Sequence, residues 1–337
     1  MEIKEKQSLK PFNTFAIDVW AKYFAEVNHI DELQEIYADR KFENEPRLLI
    51  GGGSNVLFTQ DFGGLVIKNK LKGIKVIKEE GDFIYLKCGA GEVWHDVVLF
   101  CVENGFGGIE NLSLIPGCCG AAPIQNIGAY GVEIKDVLED VEVYMIHERV
   151  TYVFKNADCQ FGYRESIFKK QLKHKAVVLS ITLKLSKKHD LNTGYGQIEA
   201  ELSNRGIKEP TIKDVSDVVI SIRQSKLPDP SKIGNAGSFF KNPVVSKGVF
   251  EQLGMQYGSI PGYQVADNVK VPAGWLIEKA GWKGKNFGNY GVHKNQALVL
   301  VNHGGAKGND IFELSEKIIE DIKAKFGIEL EREVNCV

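Results

Sequence analysis

The 337-residue sequence has no apolar run long enough to span a bilayer, and its start, MEIKEKQSLKPFN, has no apolar signal core. A cytoplasmic protein without a membrane partner is expected. A basic stripe is also missing: 42 Lys and Arg are interspersed with 44 Asp and Glu, for a net charge of -2, which argues against nucleic acid. The six cysteines, Cys88, Cys101, Cys118, Cys119, Cys159 and Cys336, follow no disulfide-framework spacing and read as free thiols. Seven scattered histidines, with no HExxH and no Cys/His cluster, give no reason to expect a metal. There is no GxSxG and no catalytic Ser/His/Asp order, so nucleophilic hydrolysis is poorly supported. No internal repeat is present.

Glycine is what the chain has in quantity, and it is concentrated where phosphate or cofactor chemistry could use it. The stretch Leu114 to Gly131, LIPGCCGAAPIQNIGAYG, has no helix or strand period, yet it is too apolar for a solvated linker. Its backbone should run close to something buried, with amides able to converge on an anion and with Gln125 and Asn126 able to pair with a polar ring edge. A packed loop and a cofactor cradle stay equally open on these residues alone. A second candidate, Gly51-Gly52-Gly53-Ser54-Asn55, follows the short strand Arg47 to Ile50. It lacks the third glycine and the helix of a dinucleotide fingerprint, so a Rossmann half-domain is disfavoured, while a turn donating amides to a pyrophosphate is not.

Periodicity orders the rest. Helices are expected at Ile30 to Ala38, Val93 to Asn104, Lys213 to Gln224, Ala273 to Lys279 and Asp310 to Phe326, the last opening on a capping box of Asp310 and Glu313. Strands are expected at Gly64 to Lys68, Gly73 to Ile77, Phe83 to Cys88, Val137 to Tyr144, Val150 to Phe154, Ala176 to Leu185, Leu298 to Asn302 and the closing IELEREVNCV. Alternation in that closing strand sets Glu333 on the solvated face. Helices and antiparallel-looking strands mix without strict alternation, which points to an α+β fold. The loop Asp190 to Gln197, DLNTGYGQ, is mobile by composition. In GNAGSFFKNP, small residues and two phenylalanines suit Ser238 to a fixed hydroxyl, although for an isolated serine a helix cap or buried turn is the commoner reading. Singly, Arg164 reads as a surface ion-pair partner, Tyr195 as a packed loop aromatic and Lys226 as a charge at a helix C-terminus.

Taken together, LKPFNTF (from Leu9), GGGSNVLF (from Gly51), IPGCCGAAPIQNIGAYG (from Ile115), FGYRESIFK (from Phe161), KLPDP (from Lys226), GNAGSFFKNP (from Gly234), AGWLIE (from Ala273) and HKNQALVLVN (from His293) resemble, in order and over nearly the whole chain, the UDP-N-acetylenolpyruvoylglucosamine reductases of bacterial peptidoglycan precursor synthesis. The resemblance implies an FAD-binding fold of the vanillyl-alcohol-oxidase (PCMH) type followed by an α+β substrate-binding domain. The expected division is 1–68 and 69–212 for two FAD-binding subdomains, 213–326 for the substrate domain and 327–337 for a terminal strand bringing an acid to the active site. It implies FAD as cofactor, NADPH as co-substrate, and UDP-N-acetylglucosamine enolpyruvate as the small-molecule partner of a monomeric enzyme. By position, Gly51, Gly52, Gly53, Ser54 and Asn55, with Pro116, Gly117, Gly120, Gln125, Asn126, Gly128, Ala129, Tyr130 and Gly131, match flavin-contacting segments.

Ser238 resembles the general acid that protonates C2 after hydride addition to C3, and Arg164 and Glu333 the pair that polarises the substrate carboxylate. For Glu333 this overrides the periodicity. Lys226, Asn242 and Gln296 match substrate-binding positions, and Tyr195 matches the tyrosine loop of the family's longer subclass. The chain departs from the family where Glu333-Val334 is followed by Asn335-Cys336-Val337 instead of an arginine and further residues. A flavin oxidase or dehydrogenase of the same fold and a flavin-binding protein without chemistry are the rival readings, and the Ser238, Arg164 and Glu333 set argues against both.

Overall fold

The computed structural model describes residues 1–195 and 197–337; Gly196, in the expected tyrosine loop, lies outside the described residues. The chain divides into two units, one of Met1–Gln7, Lys22–Gly52 and Gly63–Arg223, the other of Ser8–Ala21, Gly53–Phe62 and Gln224–Val337.

In chain order the first elements are β1 (Ile3–Ser8), β2 (Trp20–Val27), α1 (Ile30–Ala38), β3 (Arg47–Ile50), β4 (Val56–Leu57) and β5 (Phe62–Asn69). Helix α1 starts where Glu32 accepts from the amides of Asn28 and His29, at 2.7 and 3.1 Å, which satisfies two of the donors a helix start leaves open. A four-stranded sheet runs in the order β1-β2-β5-β3, with β3 and β5 parallel. Then come β6 (Ile74–Glu80), β7 (Phe83–Gly89), α2 (Trp94–Glu103), the short β8 (Gly128–Ala129) and β9 (Val132–Glu133), β10 (Leu138–Met145), β11 (Val150–Lys155) and β12 (Ala176–Ser186). Five of these form an antiparallel sheet in the order β11-β10-β12-β7-β6.

The alternation expected of β12 gives way to seven consecutive buried residues. The cause is its central place: Val177 and Leu179 join the core around α1, while Val178, Ile181 and Leu183 join the core around α2. A strand covered on both faces has no solvent side for polar residues to occupy. The unit ends with α3 (Ile198–Asn204) and α4 (Ile212–Lys226), whose Val215, Val218, Val219 and Ile222 pack with Ile198 and Leu202.

The second unit holds β13 (Val244–Ser246), α5 (Lys247–Tyr257), β14 (Tyr263–Val265), β15 (Asn268–Lys270), α6 (Ala273–Lys279), β16 (Tyr290–Val292), β17 (Leu300–Asn302), α7 (Gly308–Phe326) and β18 (Asn335–Cys336). The stripe Ile311, Leu314, Ile318, Ile322 and Phe326 of α7 is buried as its spacing requires. Its start differs from expectation. The helix begins at Gly308, Asp310 accepts from the Lys307 amide at 2.8 Å, and Glu313 accepts from Asn309 Nδ2 at 2.8 Å instead of capping.

The closing strand is also shorter than its alternation suggested. Regular pairing is confined to β18, parallel to β4, while Phe240 and Arg332 form an isolated antiparallel bridge. Ile328, Leu330 and Val334 are buried, but Glu333 is half-buried and not on a solvated face. The last residues are tied down. Asn335 donates to the Asn55 carbonyl through its amide and side chain, at 3.2 and 3.0 Å, and Thr59 donates to the Val337 carbonyl at 2.7 Å through its amide.

Candidate active site

Within the first unit the glycine-rich stretch is built against α2, α4 and the segment around Arg164. Gly52 lies over Gly117 so closely that an added Cβ would come 3.1 Å from the Gly117 Cα, and one on Gly51 would come 3.2 Å from the Cys118 Cβ. Two backbones can meet at that distance only without side chains between them. Lys68 donates its ammonium to the Gly51 carbonyl, and burial pushes that ammonium below its usual value. Pro116 is exposed, Gly117 accepts from the Trp94 amide at 3.0 Å, and Gly120 donates to the Ala90 carbonyl at 2.9 Å.

All six cysteines are free thiols. The Cys119 thiol is pushed up by its hydrogen bond with Cys88 and by burial, and burial does the same to Cys118; both side chains are buried.

Further along, Asn126 turns its side chain inward, donating to Glu133 Oε2 at 2.9 Å and to the Gly162 carbonyl at 3.0 Å, while Gln125 stays half-buried. Arg164 reaches this run directly: Nη2 donates to the Gly128 carbonyl at 2.7 Å and Nη1 to that of Asn126 at 3.4 Å. Ser166 adds a bond to the Ile124 carbonyl at 2.6 Å. The motif FGYRES thus braces residues 124 to 128 from one side.

Gly128, Ala129 and Tyr130 are half-buried, and Gly131 lies against Tyr195, whose Cβ would be 3.2 Å from a Cβ on the glycine. Asn192 donates to the Gly131 carbonyl at 3.3 Å. Asn192 and Tyr195, from the polar loop, thus lie against Gly131, and Tyr195 is 43% exposed.

Leu114, Asn126, Tyr130 and Arg164 all have positive φ, at 58°, 44°, 50° and 56°. Four left-handed non-glycine residues in one neighbourhood store strain of the kind that collects at ligand sites.

Two participants escaped the sequence reading. Arg223, on α4, donates Nε to the Leu114 carbonyl at 3.2 Å and faces Tyr130, and among the described residues it has no carboxylate partner. Burial pushes its guanidinium below the usual value, with Tyr130 opposing that and Arg164 adding to it. Asn111 donates to the carbonyls of Tyr130 and Asn192 at 3.0 and 2.8 Å, which leaves its buried Oδ1 without a partner. On α4, Arg223 follows the stripe residue Ile222 and reads as one more charge on the solvated face, so periodicity gave no signal for it. A half-buried cation and an orphaned acceptor beside a glycine-rich run fit a ligand that carries negative charge and N–H donors, as FAD does.

Within the second unit Ser238 and Glu333 are drawn together by backbone pairing. The Glu333 amide donates to the Phe239 carbonyl at 2.8 Å, and the Phe239 amide donates to that of Leu298 at 2.8 Å. Ser238 is half-buried between Gly237, at φ 70°, and Phe239, whose ring meets those of Phe15 and Phe240 edge-on at 6.2 and 5.3 Å. Asn235 fixes the turn, donating to Pro228 and Ile233 carbonyls at 3.1 and 2.8 Å and accepting from the Gly237 amide at 2.9 Å. Asn55 donates Nδ2 to the Glu333 carbonyl at 3.2 Å.

Asn242 accepts from the Ala273 amide at 2.9 Å, and a Cβ on Gly274 would lie 3.3 Å from Gln296 Oε1, so both meet at the start of α6. Lys226, at the end of α4, is exposed, and Ser54 is half-buried beside Gly53. No group of three or more His, Cys, Asp or Glu side chains is placed to hold a metal among the described residues.

Comparison with known proteins agrees with this picture. A family model described as an FAD binding domain matches residues 21–150, and one described as the C-terminal domain of UDP-N-acetylenolpyruvoylglucosamine reductase matches 229–337. The chain is 52% identical to the UDP-N-acetylenolpyruvoylglucosamine reductase of Flavobacterium johnsoniae over all of both chains. It is 46% identical to that of Pseudomonas fluorescens, with 99% of each covered. A crystal structure of the reductase from Thermus caldophilus superposes with a TM-score of 0.71 at 23% identity, covering 100% of this chain and 99% of the other. The last likeness confirms the α+β fold, and the FAD binding domain expected from the motifs is given by the family model over 21–150. With full-length identities of this size, the chain belongs to the UDP-N-acetylenolpyruvoylglucosamine reductase family.

Proposed function

We propose that this chain reduces UDP-N-acetylglucosamine enolpyruvate to UDP-N-acetylmuramate, with FAD bound and NADPH as reductant, in peptidoglycan precursor synthesis. Bound FAD would supply the hydride chemistry that links NADPH to C3 of the enolpyruvyl group. Hydride addition at C3 leaves a strongly basic carbon at C2, which a serine hydroxyl can protonate although it is too weak an acid for most substrates. Ser238 has that role, and Arg164 and Glu333 polarise the substrate carboxylate, for which the arginine's planar fork is suited.

The observation that carries this reading is the pairing of Glu333 with Phe239, which holds an acid beside a serine fixed by Asn235 and two packed aromatic rings. Asn242 and Gln296 bind substrate from the start of α6, Lys226 and Tyr195 supply a cation and a phenol for the diphosphate, and the glycines at 51–53 and 117–131 receive the flavin. The match of the C-terminal family domain to 229–337 supports giving substrate binding to the last third of the chain.

The purified protein is expected to be yellow. Its visible flavin band should bleach anaerobically with NADPH and return when UDP-N-acetylglucosamine enolpyruvate is added. A colourless protein that takes up no FAD would refute the cofactor; bleaching without recovery would refute the substrate.

No helix among the described residues is long and apolar enough to cross a membrane. We assign the reaction to the cytoplasm and to a monomer, for which sedimentation should give a mass near 37.5 kDa. A concentration-independent dimer would reject the monomer.

A further inference from the structure

Leu114 enters the glycine-rich stretch in a conformation that leucine avoids. Its φ is 58°, in the left-handed region where a Cβ crowds the following carbonyl. Two side chains from different helices hold the residue there. From the first turn of α2, His95 Nδ1 accepts from the Leu114 amide at 3.0 Å; from the last turn of α4, Arg223 Nε donates to the Leu114 carbonyl at 3.2 Å. Both neighbouring stretches are pinned by the same two helices. Trp94 Nε1 donates to the Leu112 carbonyl at 3.0 Å, the Trp94 amide donates to that of Gly117 at 3.0 Å, and the buried hydroxyls of Ser113 and Ser216 meet at 2.8 Å. Leu112 to Gly117 is thus strung between α2 and α4, with Leu114 strained at its middle.

We propose that His95 and Arg223 clamp Leu114 in its left-handed conformation, making His95 a positioning residue for the flavin-binding stretch and an acid-sensitive one. The inference rests on the reading that this stretch holds FAD.

Its chemistry follows from the direction of the hydrogen bond. An imidazole can accept at Nδ1 only when that nitrogen carries no proton, so the clamp requires neutral His95, with its proton on Nε2. The charged groups facing the ring are Asp96, on its own helix, and the Arg223 guanidinium from α4. Burial holds the imidazole below the usual histidine value, Asp96 opposes this and Arg223 reinforces it. A histidine depressed in the folded protein contributes stability that is complete above its ordinary value, near 6.5, and is lost as the pH falls from there through the lower value it has in the folded protein. Protonation therefore removes the acceptor and adds a second cation beside Arg223.

The test is FAD affinity, measured by quenching of flavin fluorescence on titration of flavin-stripped full-length protein. At about pH 8, His95→Ala is expected to weaken binding about tenfold, the worth of one hydrogen bond near the upper end of its usual range. Adding Leu114→Gly to that variant should restore most of the loss, because glycine holds a φ of 58° without a clamp. Wild-type affinity should fall as the pH is lowered from about 8 to about 5.5, whereas His95→Asn, which keeps an acceptor near Nδ1 but does not titrate, should bind like wild type and stay flat.

Unchanged affinity in His95→Ala would overturn the clamp, and so would a double variant no better than the single one, which would assign the loss to ring packing. If His95→Ala does not fold, the pH series decides: His95→Asn following the wild-type curve would rule out the acid-sensitive role. Failure of the wild type to take up FAD would instead overturn the cofactor reading, and this inference with it.

Discussion

Ser238→Ala is expected to accept hydride from NADPH at the wild-type rate and then to stall, with turnover of UDP-N-acetylglucosamine enolpyruvate down by about 10²- to 10⁴-fold, the range over which a positioned general acid accelerates a reaction. The proposed role separates the two half-reactions, because it calls on Ser238 only when C2 must be protonated. The geometry makes the substitution a clean one. Asn235 fixes the turn through three hydrogen bonds, Gly237 supplies its left-handed corner, and Phe239 and Phe240 are packed in the core, so the backbone stays in place when the hydroxyl is removed. Stopped-flow bleaching of the flavin band by NADPH reports the first half-reaction, and its recovery on adding the enolpyruvyl substrate reports the second. Recovery slowed less than about tenfold would assign the proton to another group. Glu333→Gln tests the same site from the opposing segment. It keeps the backbone bond to Phe239 and removes only the charge, so it should also slow recovery and leave bleaching alone.

Gly53→Ala should produce the largest loss of stability of any single methyl addition to the cofactor turns. Gly53 has a φ of 64°, and a Cβ there would sit 2.0 Å from the Phe12 carbonyl oxygen and 2.8 Å from its carbon. The left-handed conformation alone costs about 1–2 kcal/mol for a residue with a Cβ. The collision is with backbone, which has no rotamer to escape into, and the segment it strikes is fastened to Gly53 by the Thr14 amide at 3.1 Å. We expect a destabilisation of about 3 kcal/mol or more, at the high end for point substitutions, together with loss of bound flavin. Gly63→Ala is the control, since nothing lies within 4 Å of its added Cβ, and it should stay within about 0.5 kcal/mol of wild type. Urea midpoints of the two variants decide the matter; equal midpoints would mean that the turn relaxes freely.

Much of the local structure was legible in the residues. Ile30 to Ala38, Arg47 to Ile50 and Ala273 to Lys279 form the elements that their spacing implies, with the same bounds. Most other expected elements differ by a residue or two at their ends, but β6 runs on to Glu80 and the closing strand is confined to Asn335–Cys336. The start of α7 is one of the small differences. Asp310 and Glu313 read as a capping box, but the Lys307 amide finds the Asp310 carboxylate first, so the helix opens two residues earlier. The motifs identified the family and its cofactor because long segments in fixed order carry more information than any period does.

Glycine composition by itself could not separate a packed loop from a cofactor cradle in the stretch Leu114 to Gly131, and the structure shows why. Gly117 and Gly120 are spent on close backbone packing against Gly52 and Ala90, as in any tight loop. What favours the cradle is held elsewhere: an Arg223 guanidinium that has no carboxylate partner among the described residues, the orphaned Asn111 Oδ1 and a cluster of left-handed residues.

The sequence alone determined many of the helices and strands, though not β1, β2, α3, α5 or β13 to β16, together with the α+β class and the family the chain resembles, because periodicity and motif order are properties of neighbouring residues. Only the tertiary structure decided that β12 is covered on both faces, that Glu333 leaves the solvated side of its strand to bond with Phe239 and Asn55, and that Arg223 turns inward to hold Leu114. Each of these depends on a partner more than a hundred residues away in the chain or on the covering of a second face, and a local pattern carries no record of either.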